Sequence, residues 1–326
     1  MNSPADHSPT DGRFVVVLGG ANMDISGSTT QALVLSDSNP GRIRCAPGGV
    51  ARNVAENLAR LGNSTRLITA VGDDLYGRSL LDATQSSGVD IRGISVLAGE
   101  ATSTYLSLHG PDGDMAVAVN DMGILECITP ERLTPHTPWV QQAAALVVDC
   151  NVNADALKWL CAHRGTTPIF VDAVSAFKCQ RIRPWLAHLH LLKVNRLEAQ
   201  ALCQFDIHDD RDIERAAQCL HALGVHHIVL SLGERGVYWS AQNPHSAQNA
   251  VEGWHSALRC NVVNVTGAGD ALMAGLVHAF VHHHGLRASI PFALGCAAMT
   301  LASEHANHPG LSAETVAQYL HNSTPL

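Results

Sequence analysis

A doubly wound α/β fold, with a mostly parallel sheet and helices on both faces, is predicted by three features of this 326-residue sequence. Short β-branched runs recur along the chain, apolar stripes at helical spacing lie between them, and polar or glycine-rich turns follow the runs. In such a sheet, ligands bind beyond the carboxyl ends of the strands.

The strand-like runs fall at 14–19, 65–71, 145–150, 168–172, 189–195 and 227–233. Val50, Val54, Leu58 and Leu61 form one helical stripe, and Ala216, Leu220 and Leu223 form another. Alternating segments at 102–109 and 114–120 are joined by Gly110-Pro111-Asp112-Gly113 and predict a β-hairpin. That hairpin is either an added sheet edge or a lid. Nothing between the runs reads as a linker that would split the chain, so residues 13–322 are expected to form a single domain. Residues 1–12 are polar, carry prolines and lack an apolar stretch, so they read as a disordered leader rather than a secretion signal.

Composition removes several classes of function. With 46% hydrophobic and 15% charged residues, the chain can bury a large core, and its net charge of -8 argues against a nucleic-acid partner held by phosphate contacts. The apolar runs are too short to span a membrane. The nine cysteines are dispersed with no C-x-x-C pair, which suits reduced thiols in a cytoplasm. The His282-His283-His284 run follows a predicted helix and reads as its solvated end rather than a metal site.

The densest chemical signal is Thr266-Gly267-Ala268-Gly269-Asp270, which opens an apolar helical run. Small residues let backbone N–H groups approach an anion, the helix end favours negative charge, and one carboxylate stands at the junction. Asn22 and Asp24, just past the first strand, can grip adjacent sugar hydroxyls; an Asx turn explains them equally well. Gly48 and Gly49 precede a helix whose first turn carries Asn53, which suits a polar ligand or simply a tight loop. Asn195 and Glu198 stand one turn apart and could order the waters of a magnesium ion carried by a nucleotide. A helix cap built from the same pair is the alternative, and the two are compatible. Ser231, Gly233 and Gly236 follow another strand and suit either phosphate contact or a plain hairpin turn. No G-x-x-x-x-G-K-[ST] or strand-linked G-x-G-x-x-G occurs, so a P-loop and a dinucleotide fingerprint are excluded.

Taken together, these residues resemble the PfkB or ribokinase-like family of sugar and nucleoside kinases. The Pro47-Gly48-Gly49 segment running to Gly62 is similar to the family's first signature, and the segment 267–275 to its second. Within the family, the chain is most similar to pseudouridine kinases, through Gly48-Gly49-Val50-Ala51-Arg52-Asn53, Val119-Asn120-Asp121-Met122, Val174-Ser175-Ala176-Phe177-Lys178-Cys179 and the Asn-Val form of the second signature.

The resemblance implies a ribokinase-like kinase that uses ATP and Mg2+ to phosphorylate a nucleoside 5′-hydroxyl, with pseudouridine as the leading substrate. A kinase for ribose or another nucleoside is the alternative, and a non-catalytic sugar or nucleoside sensor is a more distant one. It implies Asp270 as the base, with Gly267, Ala268 and Gly269 stabilising the transferring phosphoryl group. Asn22, Asp24, Gly48, Gly49 and Asn53 would hold the ribose, Asn195, Ser231, Gly233, Gly236 and Thr266 the nucleotide, and Glu198 the magnesium ion through water. A lid would come from about 25–46 and 98–122, and lids of two chains would pair into a homodimer. Where many members have Asp-Thr, this chain has Asn264-Val265, which leaves monovalent cation (K+) activation open.

Overall fold

The computed structural model describes residues 13–243 and 246–323; the leader expected at 1–12 lies outside them. In chain order the strands are β1 (Val15–Leu18), β2 (Asn22–Thr29), β3 (Gly41–Gly48), β4 (Thr65–Gly72), β5 (Asp90–Leu97), β6 (Thr104–His109), β7 (Met115–Asp121), β8 (Ala145–Asp149), β9 (Ile169–Asp172), β10 (Leu191–Asn195), β11 (His227–Ser231), β12 (Val237–Asn243) and β13 (Ser246–His255). The helices are α1 (Val50–Arg60), α2 (Leu75–Ser86), α3 (Pro130–Leu133), α4 (Thr137–Gln142), α5 (Ala154–His163), α6 (Arg196–Cys203), α7 (Asp210–Ala222), α8 (Ala268–Val281), α9 (Leu286–Leu301) and α10 (Ala313–Asn322).

The expected doubly wound sheet is present, with nine strands in the order β13-β12-β11-β10-β9-β8-β1-β4-β5. The strands from β5 across to β11 pair in parallel, and β12 and β13 close one edge antiparallel. All six strand-like runs of the sequence lie in the parallel part. Because side chains alternate, Val15 and Val17 point into a core with α1, α8, α9 and α10, whereas Val16 and Leu18 point into one with α5, α6 and α7. Both faces are therefore covered. The order reverses at β1, which lies between β4 and β8, so the crevice beyond the carboxyl ends of β1 and β8 is the topological switch point.

After β1 the chain does not turn back at Asn22 and Asp24. It runs on into β2, the start of a second, four-stranded sheet ordered β3-β2-β6-β7. The predicted hairpin is β6 and β7, joined by a turn closed from Gly110 N–H to the Asp114 carbonyl at 2.9 Å. Cross-strand partners share a face, so Asp24 lies with Tyr105 and Asn120 on one side. Ile25, Cys45, Leu106 and Val119 lie on the other. That second face is apolar and open, with Ile43 77% and Val119 62% exposed.

Among the described residues all nine cysteines are free thiols, and no helix is long and apolar enough to cross a membrane. The His282-His283-His284 run follows the last turn of α8, and among the described residues no trio of His, Cys, Asp or Glu side chains is placed to hold a metal ion.

Candidate active site

Asp149, at the carboxyl end of β8, builds the floor of the switch-point crevice. Its carboxylate accepts from Gly20 N–H at 2.9 Å, Ala51 N–H at 3.0 Å and Asn151 N–H at 2.9 Å. One buried carboxylate thus caps α1, which has no side-chain cap of its own, and pins the exit of β1. The fit leaves no room for larger residues: a Cβ on Gly19 would strike Asp149, and one on Gly49 would come within 2.5 Å of the Gly20 carbonyl.

These contacts place the first group of predicted residues together. Asn22 donates from Nδ2 to Asp24 Oδ1 at 2.6 Å, and a Cβ on Gly48 would collide with the Asp24 carboxylate. Burial pushes the Asp24 carboxyl up from its ordinary range, against the Asn22 hydrogen bond and the nearby Arg52 charge. Asn53, on the first turn of α1, donates from Nδ2 to Asp270 Oδ2 at 2.8 Å. Its own backbone carbonyl accepts from Asn307 Nδ2 at 2.8 Å.

Asp270 sits on the first turn of α8. Gly267 is the N-cap, left-handed at φ +82°, and a side chain there would run into the Ala306 carbonyl. Gly267 offers no side-chain cap, and among the described residues no side chain accepts from the first N–H groups of this helix. Lys193, on β10, lies beneath them; a Cβ on Gly269 would be 3.2 Å from its Nζ. Lys193 donates to Asp172 Oδ2 at 2.7 Å, a buried ion pair. Burial works against the lysine charge, but Asp172, helped by Glu198 and Asp270, leaves the ammonium favoured on balance.

Two carboxylates and one ammonium thus share the foot of α8, and their titration follows from that. Burial first, and the Asp172 charge second, push Asp270 up to about 7, opposed by the Asn53 hydrogen bond and Lys193. A carboxyl near 7 can exchange a proton with a bound hydroxyl at neutral pH.

The second group lies further along the sheet. Asn195 and Ser231 are register partners at the carboxyl ends of β10 and β11. Asn195 caps α6 by a full capping box: Glu198 N–H donates to Asn195 Oδ1 at 3.0 Å, and Asn195 N–H and Nδ2 each donate to Glu198 at 2.8 Å. Burial raises the Glu198 carboxyl. Gly233 and Gly236 form the turn from β11 to β12, and a Cβ on Gly236 would strike the His255 carbonyl. Thr266 is exposed just ahead of Gly267, its N–H bound to Asn264 Oδ1 at 2.9 Å. The structure does not bring this group into contact with Asn22, Asp24 or Gly48. β1 and β11 are four strands apart, about 19 Å at the usual spacing, with Asp270 and Lys193 between. That span suits two ligands meeting at the foot of α8.

The family model for the pfkB family carbohydrate kinases matches residues 13–313. The chain belongs to this family. It is 44% identical to the pseudouridine kinase of Escherichia coli strain K12, over 95% of this chain and 97% of that one. Among solved structures, a carbohydrate kinase from Agrobacterium tumefaciens superposes with a TM-score of 0.80 at 27% identity, covering 96% of this chain and 98% of the other. Arabidopsis thaliana ribokinase, complexed with ribose and ATP, superposes with a TM-score of 0.83 at 20% identity, covering 94% and 98%. The fold is ribokinase-like.

Several residues of this pfkB site escape sequence reasoning: Asp149, Asp172, Lys193 and Arg52. Three carried a usable signal. Asp149 and Asp172 end apolar strand runs, and Lys193 interrupts one, so each places a charge where burial is otherwise complete.

Proposed function

We propose that this protein transfers the γ-phosphoryl group of ATP to the 5′-hydroxyl of a nucleoside, and that the nucleoside is pseudouridine. The observation that carries the reading is the Asp270 carboxylate, held by Asn53 beside the uncapped N-terminus of α8 and the Lys193 ammonium. The identity to a pseudouridine kinase along nearly the whole chain supports the choice of substrate.

In this reading Asn22, Asp24, Gly48 and Gly49, with Asn53, hold the ribose so that its 5′-oxygen faces Asp270. The 5′-oxygen forms a bond to the γ-phosphorus, the bond from that phosphorus to the β–γ bridging oxygen breaks, and ADP leaves. The hydroxyl proton passes to Asp270. The transition state is loose, so positioning and charge neutralisation dominate, and a carboxylate suffices because the hydroxyl becomes acidic only as the new bond forms. The N–H groups following Gly267 and the Lys193 ammonium neutralise the phosphoryl oxygens. Asn195, Ser231, Gly233, Gly236 and Thr266 line the nucleotide side.

The donor set fits magnesium held indirectly. Glu198 keeps unshared lone pairs while both its oxygens serve the capping box, so it would hold the hydrated ion of the nucleotide through water. When bound, the ion withdraws charge from the phosphates. A monovalent cation fits poorly at Asn264. Its side chain carries no charge to offset a cation, its oxygen is shared with Thr266 N–H at 2.9 Å, and its amide nitrogen, which is no cation ligand, donates to the Glu304 carbonyl at 3.3 Å.

The second sheet serves as the lid, Asp24 and Tyr105 facing the substrate and the apolar face with Ile43 and Val119 pairing with the same face of a second chain. The free thiols suit a reducing cytoplasm. ADP release with Mg-ATP and a panel of pseudouridine, uridine, adenosine and ribose tests the reading. Preference for pseudouridine supports it, preference for ribose replaces the substrate, and ligand binding without turnover favours a sensor.

A further inference from the structure

Arg52 is buried to 3% exposure, and all three of its guanidinium nitrogens are committed. Nε donates to Thr84 Oγ1 of α2 at 3.2 Å, and Nη2 pairs with Glu56, whose other oxygen accepts from Arg60 Nε at 2.9 Å. Nη1 donates to the Pro47 carbonyl at 3.4 Å and to Asn53 Oδ1 at 3.1 Å. The last contact decides an orientation. Asn53 has an acceptor and a donor end, and Asp270 takes its donor end at 2.8 Å. Turning the amide over would set its N–H groups against the guanidinium and its carbonyl against a carboxylate, losing two charge-assisted hydrogen bonds and creating two repulsions. A neutral residue at position 52 would leave either orientation open.

We propose that Arg52 is a positioning residue for phosphoryl transfer, fixing the Asn53 amide in the orientation that donates to Asp270. The inference rests on the reading of Asp270 as the base. The groups that face Asp270 are Asn53 from α1, Asp149 from β8, Asp172 from β9 and Lys193 from β10. Of these, only Asn53 is set by Arg52. Its hydrogen bond favours the ionised carboxylate, so freeing the amide favours the protonated one.

The test is the pH dependence of kcat/KM for pseudouridine in Arg52→Lys, which keeps a cation for Glu56 but lacks the planar fork. The acidic limb should move to higher pH by about one unit, a roughly tenfold loss on that limb, with the rate recovering at high pH. Arg52→Met combined with Glu56→Gln, which removes the buried charges as a pair, should show the same shift should the lysine variant not fold. In an Asn53→Ala background the Arg52 substitution should add no shift. An unmoved limb, or a shift that persists without Asn53, overturns the proposal. Asp270→Asn serves as the control: retained turnover there defeats the base assignment itself, whereas its loss with an unmoved limb defeats the role of Arg52 alone.

Discussion

Asn53 Nδ2 donates to Asp270 Oδ2 at 2.8 Å, joining the first turn of α1 to the first turn of α8 across 217 positions of sequence. The two glycine-bearing signatures of the chain meet in this contact. It brings the residues proposed to hold the sugar to the carboxylate proposed to take its proton, so binding and chemistry share one hydrogen bond.

The pH dependence of turnover follows from the position of Asp270. With its carboxyl pushed up to about 7 by burial and Asp172, the base is ionised only above that range. kcat/KM for the nucleoside should therefore fall as pH drops through about 7, whereas an ordinary exposed aspartate would hold its activity down to about pH 4. Initial rates in constant-ionic-strength buffers from pH 5 to 9 check this.

The same shift predicts a stability effect of opposite sense to the loss of activity. Asp270 has a folded pKa above its unfolded value of 3.8, so the stability it contributes is complete at low pH and lost as pH rises through the folded value. Asp270→Asn removes that loss. The variant should gain stability over wild type increasingly between about pH 4 and pH 7, by at most ~4 kcal/mol, and level off above. Urea unfolding at pH 4.5 and pH 8 measures it.

Gly267 and Gly62 separate close approach from backbone strain. Both are left-handed, at φ +82° and φ +90°, but a Cβ at position 62 meets open space while one at 267 meets the Ala306 carbonyl. Gly62→Ala should cost about 1 kcal/mol of stability with turnover intact. Gly267→Ala should cost more and displace the helix end as well, lowering kcat. Thermal unfolding and kcat measured on both variants make the comparison.

At the opposite end of the sheet, three histidines should weaken the fold at acid pH. His190, His227 and His278 are each driven to about 4, by burial first and by neighbouring histidines second. Folded pKa values below the unfolded 6.5 mean that stability is full above 6.5 and lost as pH falls toward 4. The combined slope is at most about 4 kcal/mol per pH unit. His227→Gln should flatten it, as read from unfolding midpoints between pH 7 and 4.5.

Potassium should make no difference. The Asn264 amide already bridges Thr266 N–H and the Glu304 carbonyl, fixing the loop ahead of Gly267 without a cation. Rates in potassium, sodium and choline chloride at equal ionic strength should coincide; a potassium-specific rise would show that the loop takes a cation after all.

Much of this architecture was legible in the sequence because the parallel strands are buried on both faces and read as continuous apolar runs, as in Val15 to Leu18. The second sheet was harder. β3 exposes Ile43 and Cys45 and mixes them with Arg42 and Arg44, so its alternation marks no buried face, and β2 begins at Asn22 with no turn after β1. In the site, Asn53 and Asp270 carried motif signals. Asp149, Asp172 and Lys193 stood out only as charges in apolar runs; their roles come from neighbours on adjacent strands, and sheet order is invisible to local pattern. Arg52 was masked by its place in a helix, where a charged residue usually faces solvent; its burial depends on Glu56, Thr84 and Pro47 converging from three directions.

Mass-spectrometric analysis of the product formed from pseudouridine and Mg-ATP by the wild-type chain and by Asp270→Asn tests phosphoryl transfer and its base together. One phosphate on the 5′-oxygen, formed by the wild type and slowed by about 10² to 10⁴-fold in the variant while nucleoside binding survives, is the predicted result. Absence of a phosphorylated nucleoside with the wild type, or an equal rate from Asp270→Asn, would contradict it.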